Sequence, residues 1–290
     1  MPGERGASAA PGGRGASAAS GERGASAVPG KRGWPVVSPV LGTAARLVTK
    51  SDASWYRAPA LSICPEIVHG VTHASLGNFS LTTAEDPAEV EERRRVLLRA
   101  AELSFARLVA PPLTHSAAVA VVDGGRIPEE DVDALVTDDV RTVLAVTVAD
   151  CVPGFFVDAS GAAFGVAHAG WRGMAGGIVR RTVETMQREL GVKLGNLLVG
   201  AGPSIRGPHY EVGPDVAGLF PEAFSVPVGD PAQGRAQVDL PSCALAQAAG
   251  AGVPRDNVVD FALSTFDREG DLFSHRRGDR ERHWAFIGRA

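Results

Sequence analysis

Beyond residue 33 the chain switches repeatedly between short apolar runs and longer segments with one apolar face. Short apolar runs punctuated by Gly and Pro predict strands. "PVVSPVLG" (35–42), "ALSICPEIVHG" (60–70), "HSAAVAVVDGG" (115–125), "VDALVT" (132–137), "TVLAVTVADC" (142–151) and "NLLVGAGPSI" (196–205) fit that pattern. "DPAEVEERRRVLLRAAEL" (86–103) predicts a helix capped by Asp86, with Pro87 in its first turn and Val90, Leu97 and Leu98 on its buried side. "GMAGGIVRRTVETMQREL" (173–190) predicts another, because Val179, Val183, Met186 and Leu190 share one face. "DLPSCALAQAAGAG" (239–252) predicts a shorter helix capped by Asp239, and the C-terminal "DLFSHRRGDRERHWAFIGRA" predicts a charged loop and a last strand. Strands and helices interleave throughout, so the fold class is α/β, with many strands in a single domain.

Residues 1–33 have a different character. "RGASA" recurs at Arg5, Arg14 and Arg23, and the only large apolar residue after Met1 is Val28. Such a segment buries too little surface to offset its ordering entropy, so 1–33 is expected to be a disordered tail on a domain spanning 34–290. The tail carries five Lys/Arg and two Asp/Glu, or +3, which leaves −7 of the net −4 on the domain. The whole chain has 290 residues, 44% apolar and 21% charged, the balance of a globular protein with a full core. No basic patch suggests nucleic acid. Apolar runs are too short for a bilayer, and the N-terminus lacks a signal-peptide core. Three cysteines are too few for a disulfide framework and fit a reducing, cytoplasmic setting.

The chemistry concentrates between Ala149 and Gly177. The run Val143–Val148 delivers Asp150 and Cys151, and turn residues Asp158–Gly161 predict a hairpin. If Asp158 opposes Gly161, Cys151 falls opposite His168, close enough for a shared metal or a thiolate–imidazole pair. A bulge at Pro153 would shift that register. After His168 the chain reads Ala-Gly-Trp-Arg-Gly and enters a helix. The free N–H groups of a helix start and the fork of Arg172 suit a phosphate or carboxylate; alternatively the glycines only permit a tight turn and Arg172 is solvated. Asp150 either orients a ligand, accepts a proton or closes the strand.

The stretch "VTVADCVPGFFVDASGAAFGVAHAGWRGMAGGIV" resembles the YfiH-like family, whose members have been labelled multicopper polyphenol oxidases or laccase-domain proteins, purine nucleoside phosphorylases with adenosine deaminase activity, and peptidoglycan editing factors. Supporting stretches are "HG" at His69, "DPAEVEERRR", "DALVT" at Asp133, "GAGPSIRGPHYEVG" and "LFSHRRGD", so the likeness runs from about Leu61 to the C-terminus. It implies layered mixed β-sheets flanked by helices. It also implies a metal set of His115, Cys151 and His168. A thiolate and two imidazoles make a three-ligand zinc site with an open fourth position; copper is the alternative metal. Asn78 matches a family asparagine and Arg276 a loop that binds phosphate or substrate, unless it belongs to a solvated charge run. His69 either lines the pocket or packs. The loop after His69, "VTHASLGNFSL", lacks the family's arginine and paired glycines, which bears on substrate more than on metal.

The resemblance therefore implies a zinc-dependent purine nucleoside enzyme. Cys151, His168 and Asp150 are its catalytic candidates, and Arg172, Asn78, His69 and Arg276 its substrate or phosphate contacts. Its partners would be a purine nucleoside and phosphate, with no nucleic acid and no membrane, and the chain a monomer or weak homodimer. The alternatives are a copper-dependent polyphenol oxidase, a cysteine hydrolase or amidase using Cys151 and His168 in peptidoglycan precursor editing, and a non-catalytic metal-binding protein.

Overall fold

The computed structural model describes residues 45–126 and 131–290. The expected tail over 1–33 and the strand expected at 35–42 lie outside the described residues. Strands β1 (Arg46–Lys50), β2 (Ala53–Arg57) and β3 (Ile67–Thr72) form a meander, followed by helix α1 (Pro87–Ala100). Short strands β4 (Leu108–Val109), β5 (Val119–Val121) and β6 (Ala134–Thr137) precede the central β7 (Val143–Val148), β8 (Val152–Asp158) and β9 (Phe164–Ala169). Helices α2 (Trp171–Ala175) and α3 (Ile178–Glu189) lead to β10 (Leu197–Ala201), β11 (Glu211–Val212), α4 (Pro214–Ala217), β12 (Ser225–Pro227) and β13 (Ala236–Val238). Helix α5 (Leu240–Gly250), β14 (Val258–Asp260) and β15 (His283–Arg289) complete the chain.

Two mixed six-stranded sheets result, ordered β1-β2-β3-β15-β7-β4 and β14-β10-β8-β9-β6-β5, with a small sheet β11-β13-β12 beside them. Alternation along the strands builds the main cores of the described residues. Phe155, Val157, Phe164 and Val166 of the second sheet meet Val71, Leu144, Val146, Ala285 and Ile287 of the first. On the second sheet's other face, Ala134, Phe156, Ala167 and Val199 pack against Val179, Val183, Met186 and the α5 residues Ala244 and Ala248. On the first sheet's other face, Trp284 and Phe286 meet Leu97 and Leu98 of α1. The layers run helix, sheet, sheet, helix. Full burial of each such large side chain contributes about 1.5–3 kcal/mol.

Helix α1 follows its sequence signals: the Asp86 side chain accepts from Ala88 N, and Val90, Leu97 and Leu98 are buried. Arg94 is buried with them, its guanidinium 4.8 Å from the Trp284 ring and donating to Phe79 O at 2.7 Å. The single helix predicted over 173–190 is instead two. Gly177, at φ +79°, breaks it. Residues 60–66 are not strand either, because Pro59–Leu61 turn as a 3₁₀ segment and β3 begins only at Ile67.

His69 and His283 lie on neighbouring strands of the first sheet, both buried. Burial is the main reason that both rings are held at about 3, well below the ordinary imidazole value. The folded chain then binds fewer protons than the unfolded chain between about pH 3 and 6.5, so these rings favour folding above that window. Stability falls as pH drops through it, by up to about 1.4 kcal/mol per pH unit for each ring. Nitrogen-15 resonances of both rings are expected to stay in the neutral form down to about pH 5 while the urea midpoint declines. Ring protonation near pH 6.5 would contradict their burial as neutral groups.

Candidate metal centre

Strand β7 belongs to the first sheet and β8 to the second, so the chain crosses between sheets at Ala149–Cys151. Asp150 makes the crossing at φ +80°, a left-handed conformation that short polar side chains tolerate best. Its carboxylate then serves as a tie. Thr265 Oγ1 donates to Oδ1 at 2.5 Å, and Ser274 Oγ and the Arg276 backbone N–H donate to Oδ2 at 3.1 and 2.7 Å. Asp150 therefore anchors the 265–276 segment beside Cys151, and its oxygens are occupied there rather than with His115 or His168.

The β8–β9 register differs from the expected one by two residues. Pro153 pairs with His168 and Val152 with Ala169, because the connection is wider than a tight turn: Asp158 N bonds Ala163 O and Gly161 N bonds Asp158 O. Cys151 is thereby set diagonally from His168, on the same face and beside Gly170. The ring of His115 meets that of His168 edge-on at 4.7 Å. The ligand atoms of His115, Cys151 and His168 all lie within 4.8 Å of one another. A side chain on Gly170 would put Cβ 3.0 Å from His115 Cδ2 and 3.1 Å from Cys151 Sγ. Only a glycine leaves this cradle open.

The group that organises the cradle is Asp133, which precedes β6 and is buried. Its Oδ1 accepts from His168 Nδ1 at 2.8 Å and from His115 N at 3.0 Å. Its Oδ2 accepts from Ser116 N at 2.6 Å and from Thr114 N and Oγ1 at 3.3 and 3.4 Å. Three successive backbone N–H groups thus converge on one carboxylate. This explains how His115 is held at φ +61°, a conformation that persists only when its surroundings impose it. It also explains why 115–118 is a loop and not the start of a strand. Burial alone would raise the Asp133 pKa, but the hydrogen bonds from His168 and Ser116 hold it at about 2. The bond at Nδ1 leaves Nε2 of His168 as the nitrogen free to bind a metal.

Burial works against a charged Cys151, yet the His168 charge and hydrogen bonds from both histidines bring its thiol below the usual range. Burial likewise works against a charged His168, and the Cys151 charge and the Asp133 hydrogen bond raise it. The donor chemistry fits zinc: one thiolate and two imidazoles. Tetrahedral ligands at bond lengths of about 2.0–2.3 Å sit roughly 3.3–3.8 Å apart, so the set needs only a small contraction. It is the one such cluster found among the described residues. Cys64, Cys151 and Cys243 are all free thiols.

Arg172 follows at the start of α2, exposed, with its guanidinium carbon 4.2 Å from the Trp171 ring centroid. Helix α2 has five residues, too short to present the helix-end anion site expected there, so any anion contact at this point falls to the Arg172 side chain. The glycines serve packing instead, since a Cβ on Gly173 or Gly176 would come within 2.7 Å of Ser116 O or Ala117 Cβ. They seat α2 against the loop that carries His115. Arg276 reaches Glu211 O at 2.9 Å and lies 5.1 Å over the Tyr210 ring. His69 is not at the cluster. It lies in the inter-sheet core between Phe155 and Phe261, with Nε2 accepting from Ala58 N. Asn78 binds Ser80, Thr83 and the Arg282 N–H and lines a separate polar groove of about 440 Å³ with Glu85, Arg93 and Arg280. Sequence reasoning used Asp133 only as the start of a family-like stretch and gave it no role. An aspartate opening a buried strand is itself a signal, because a buried charge requires partners.

A two-sheet α/β sandwich with a Cys–His₂ cluster at its rim defines the class. A family model described as multi-copper polyphenol oxidoreductase laccase matches residues 68–290, and the chain belongs to this family. A purine nucleoside phosphorylase of Deinococcus radiodurans is 39% identical over 207 residues, covering 71% of this chain and 79% of that protein. Adenosine deaminase RL5, from an unknown prokaryotic organism, is 35% identical over 206 residues, covering 67% and 78%. The crystal structure of YlmD from Geobacillus stearothermophilus superposes with a TM-score of 0.74 at 30% identity, covering 84% of this chain and 98% of that one. The likeness to YfiH-type proteins and the layered α/β fold read from the sequence both hold. No helix among the described residues is long and apolar enough to cross a membrane.

Asp133→Asn keeps the shape of the side chain but removes the charge that orients His168 and the 114–116 loop. Zinc affinity, measured by competition with a chromophoric chelator, is expected to fall about 10- to 100-fold. An unchanged affinity would show that the ligands hold their positions without it.

Proposed function

We propose that the chain is a zinc-dependent purine nucleoside enzyme. It phosphorolyses adenosine or inosine to the free base and ribose 1-phosphate, with adenosine deamination as a second activity. The observation that carries this reading is the convergence of His115, Cys151 and His168 over Gly170, with Arg172 close by in the chain and free of any ion pair among the described residues. The names of the relatives agree with it.

His115, Cys151 and His168 would hold the metal. Bound there, zinc supplies a Lewis acid and a fixed positive charge at an open ligand position. Asp133 keeps the proton on Nδ1 of His168 and so holds the ring in one orientation. Arg172 offers a charged fork to a phosphate dianion. In phosphorolysis a phosphate oxygen bonds to ribose C1′ as the C1′–N9 bond breaks. The electron pair leaves with the base, which takes up the proton that the phosphate gives up. Asp150 acts at one remove, by holding the 274–276 turn, and with it Arg276, beside the ligands. A multicopper laccase requires several metal centres, whereas the described residues gather one three-ligand set.

A second reading rests on a specific observation: Asp133, His168 and Cys151 stand in line, the order of a cysteine hydrolase triad. The two readings part on the thiol. With zinc bound, Cys151 is expected to resist iodoacetamide and to react once chelator strips the metal, with loss of nucleoside cleavage on stripping. Full activity of stripped protein, abolished by alkylation, would favour the hydrolase.

Arg172→Ala is expected to leave about one zinc per chain and to lower apparent phosphate affinity about 10- to 150-fold, the equivalent of roughly 1.5–3 kcal/mol for a contact to an ionised group. Deamination, which uses water and no phosphate, should lose less. Inosine cleavage followed against phosphate concentration, beside adenosine deamination, checks this; equal losses would place Arg172 on the purine or in the fold.

A further inference from the structure

Tyr210 stands among the same groups that form the site. Its ring packs with Trp171 against the core that includes Val152, Ala169 and Val238, and its carbonyl accepts from Val238 N at 3.1 Å. The guanidinium carbon of Arg276 lies 5.1 Å from its ring centroid. The Arg276 backbone N–H is in turn bonded to Asp150, the residue before Cys151. The phenol is therefore tied to the metal ligands through two short links. Its hydroxyl has no hydrogen-bond partner among the described residues. Burial chiefly, with the charges of Cys151 and Asp150, pushes the phenol up to about 12 against the opposing pull of Arg276 and Arg172. The group stays protonated at neutral pH and so keeps an O–H to donate to an acceptor.

We propose that the Tyr210 hydroxyl is a specificity-determining donor to the phosphate co-substrate, completing with Arg172 and Arg276 a three-armed anion cradle beside the metal ligands. The assignment rests on the phosphorolysis reading above. Neither arginine has an acidic partner among the described residues, and Arg276 spends its hydrogen bonds on backbone carbonyls of His209 and Glu211. Both guanidinium charges are left to an incoming anion. A neutral O–H on the ring beneath Arg276 adds a directed hydrogen bond and leaves the net charge of the cradle unchanged. The guanidinium over the ring and the core packed against it leave the hydroxyl, rather than a free aromatic face for a purine, as the group available to bind.

Tyr210→Phe removes the hydroxyl and keeps the ring beneath Arg276. Zinc-loaded wild type and variant are to be titrated with inorganic phosphate by calorimetry, and cleavage followed against phosphate and inosine separately. Phosphate affinity is expected to fall, and the KM for phosphate to rise, by about 10- to 150-fold, the range for a hydrogen bond to an ionised group. The KM for inosine and the zinc content should stay as in wild type. Unchanged phosphate binding in the variant, with a wild type that binds, would overturn the assignment and leave phosphorolysis standing. A loss carried by the KM for inosine would also overturn it, placing the hydroxyl on the nucleoside. A wild type that neither binds phosphate nor requires it would overturn the phosphorolysis reading and this assignment together.

Discussion

One buried carboxylate holds the candidate site together. Asp133 accepts from the backbone of Thr114, His115 and Ser116 and from the ring of His168. It sits at the start of β6, whose neighbour β9 carries His168 one residue before its end and whose other neighbour β5 follows the His115 loop. A buried charge without partners would be expelled or neutralised. Here the donors it requires are the groups that must be fixed for His115 and His168 to meet Cys151. The hydrogen bonds that compensate the buried charge thus also offset the cost of ordering a left-handed loop, and the fold itself brings His115 and His168 to Cys151.

The glycines work toward the same end by steric means. Gly170 leaves open the volume into which the three ligand side chains converge, while Gly173 and Gly176 let α2 approach the 116–117 backbone closely. Gly177 then ends α2 and lets α3 set off along the second sheet, where Val179, Val183 and Met186 are buried. The glycine-rich turn is therefore chiefly a packing device for the His115 loop. Its one polar contribution to the surface is Arg172.

Elements with a strong period and clear punctuation were legible in the sequence. Helix α1 with its Asp86 cap, the buried run of β7 and the α5 cap at Asp239 all follow from local pattern. The grouping of His115, Cys151 and His168 was legible too, through its resemblance to a family motif. Features set by tertiary partners were not legible. The β8–β9 register depends on how many residues the turn absorbs, and the two-residue slip moved Cys151 from opposite His168 to a diagonal position on the same face. The helix break at Gly177 looks in sequence like one tolerated glycine among many. Sequence left His69 open between lining the pocket and packing, and only the tertiary structure decides: it packs against two phenylalanines, with Nδ1 unpartnered among the described residues and the ring kept neutral by burial.

Two aspartates divide the labour. Asp133 fastens the imidazole side of the cluster, and Asp150 fastens the segment bearing Arg276. Both sit where the chain enters or leaves the second sheet, and both are more than nine-tenths buried. Because Asp150 is covalently next to Cys151 and Asp133 is hydrogen-bonded to His168, the Cys–His cluster and the segment bearing Arg276 are both held by buried, fully engaged carboxylates rather than by flexible surface side chains. A ligand that draws on both then meets groups already in place, and little of its binding energy is consumed in ordering them. That anchoring is why a fold with so few helices can place a thiolate, two imidazoles and two guanidinium groups without acidic partners among the described residues around one rim.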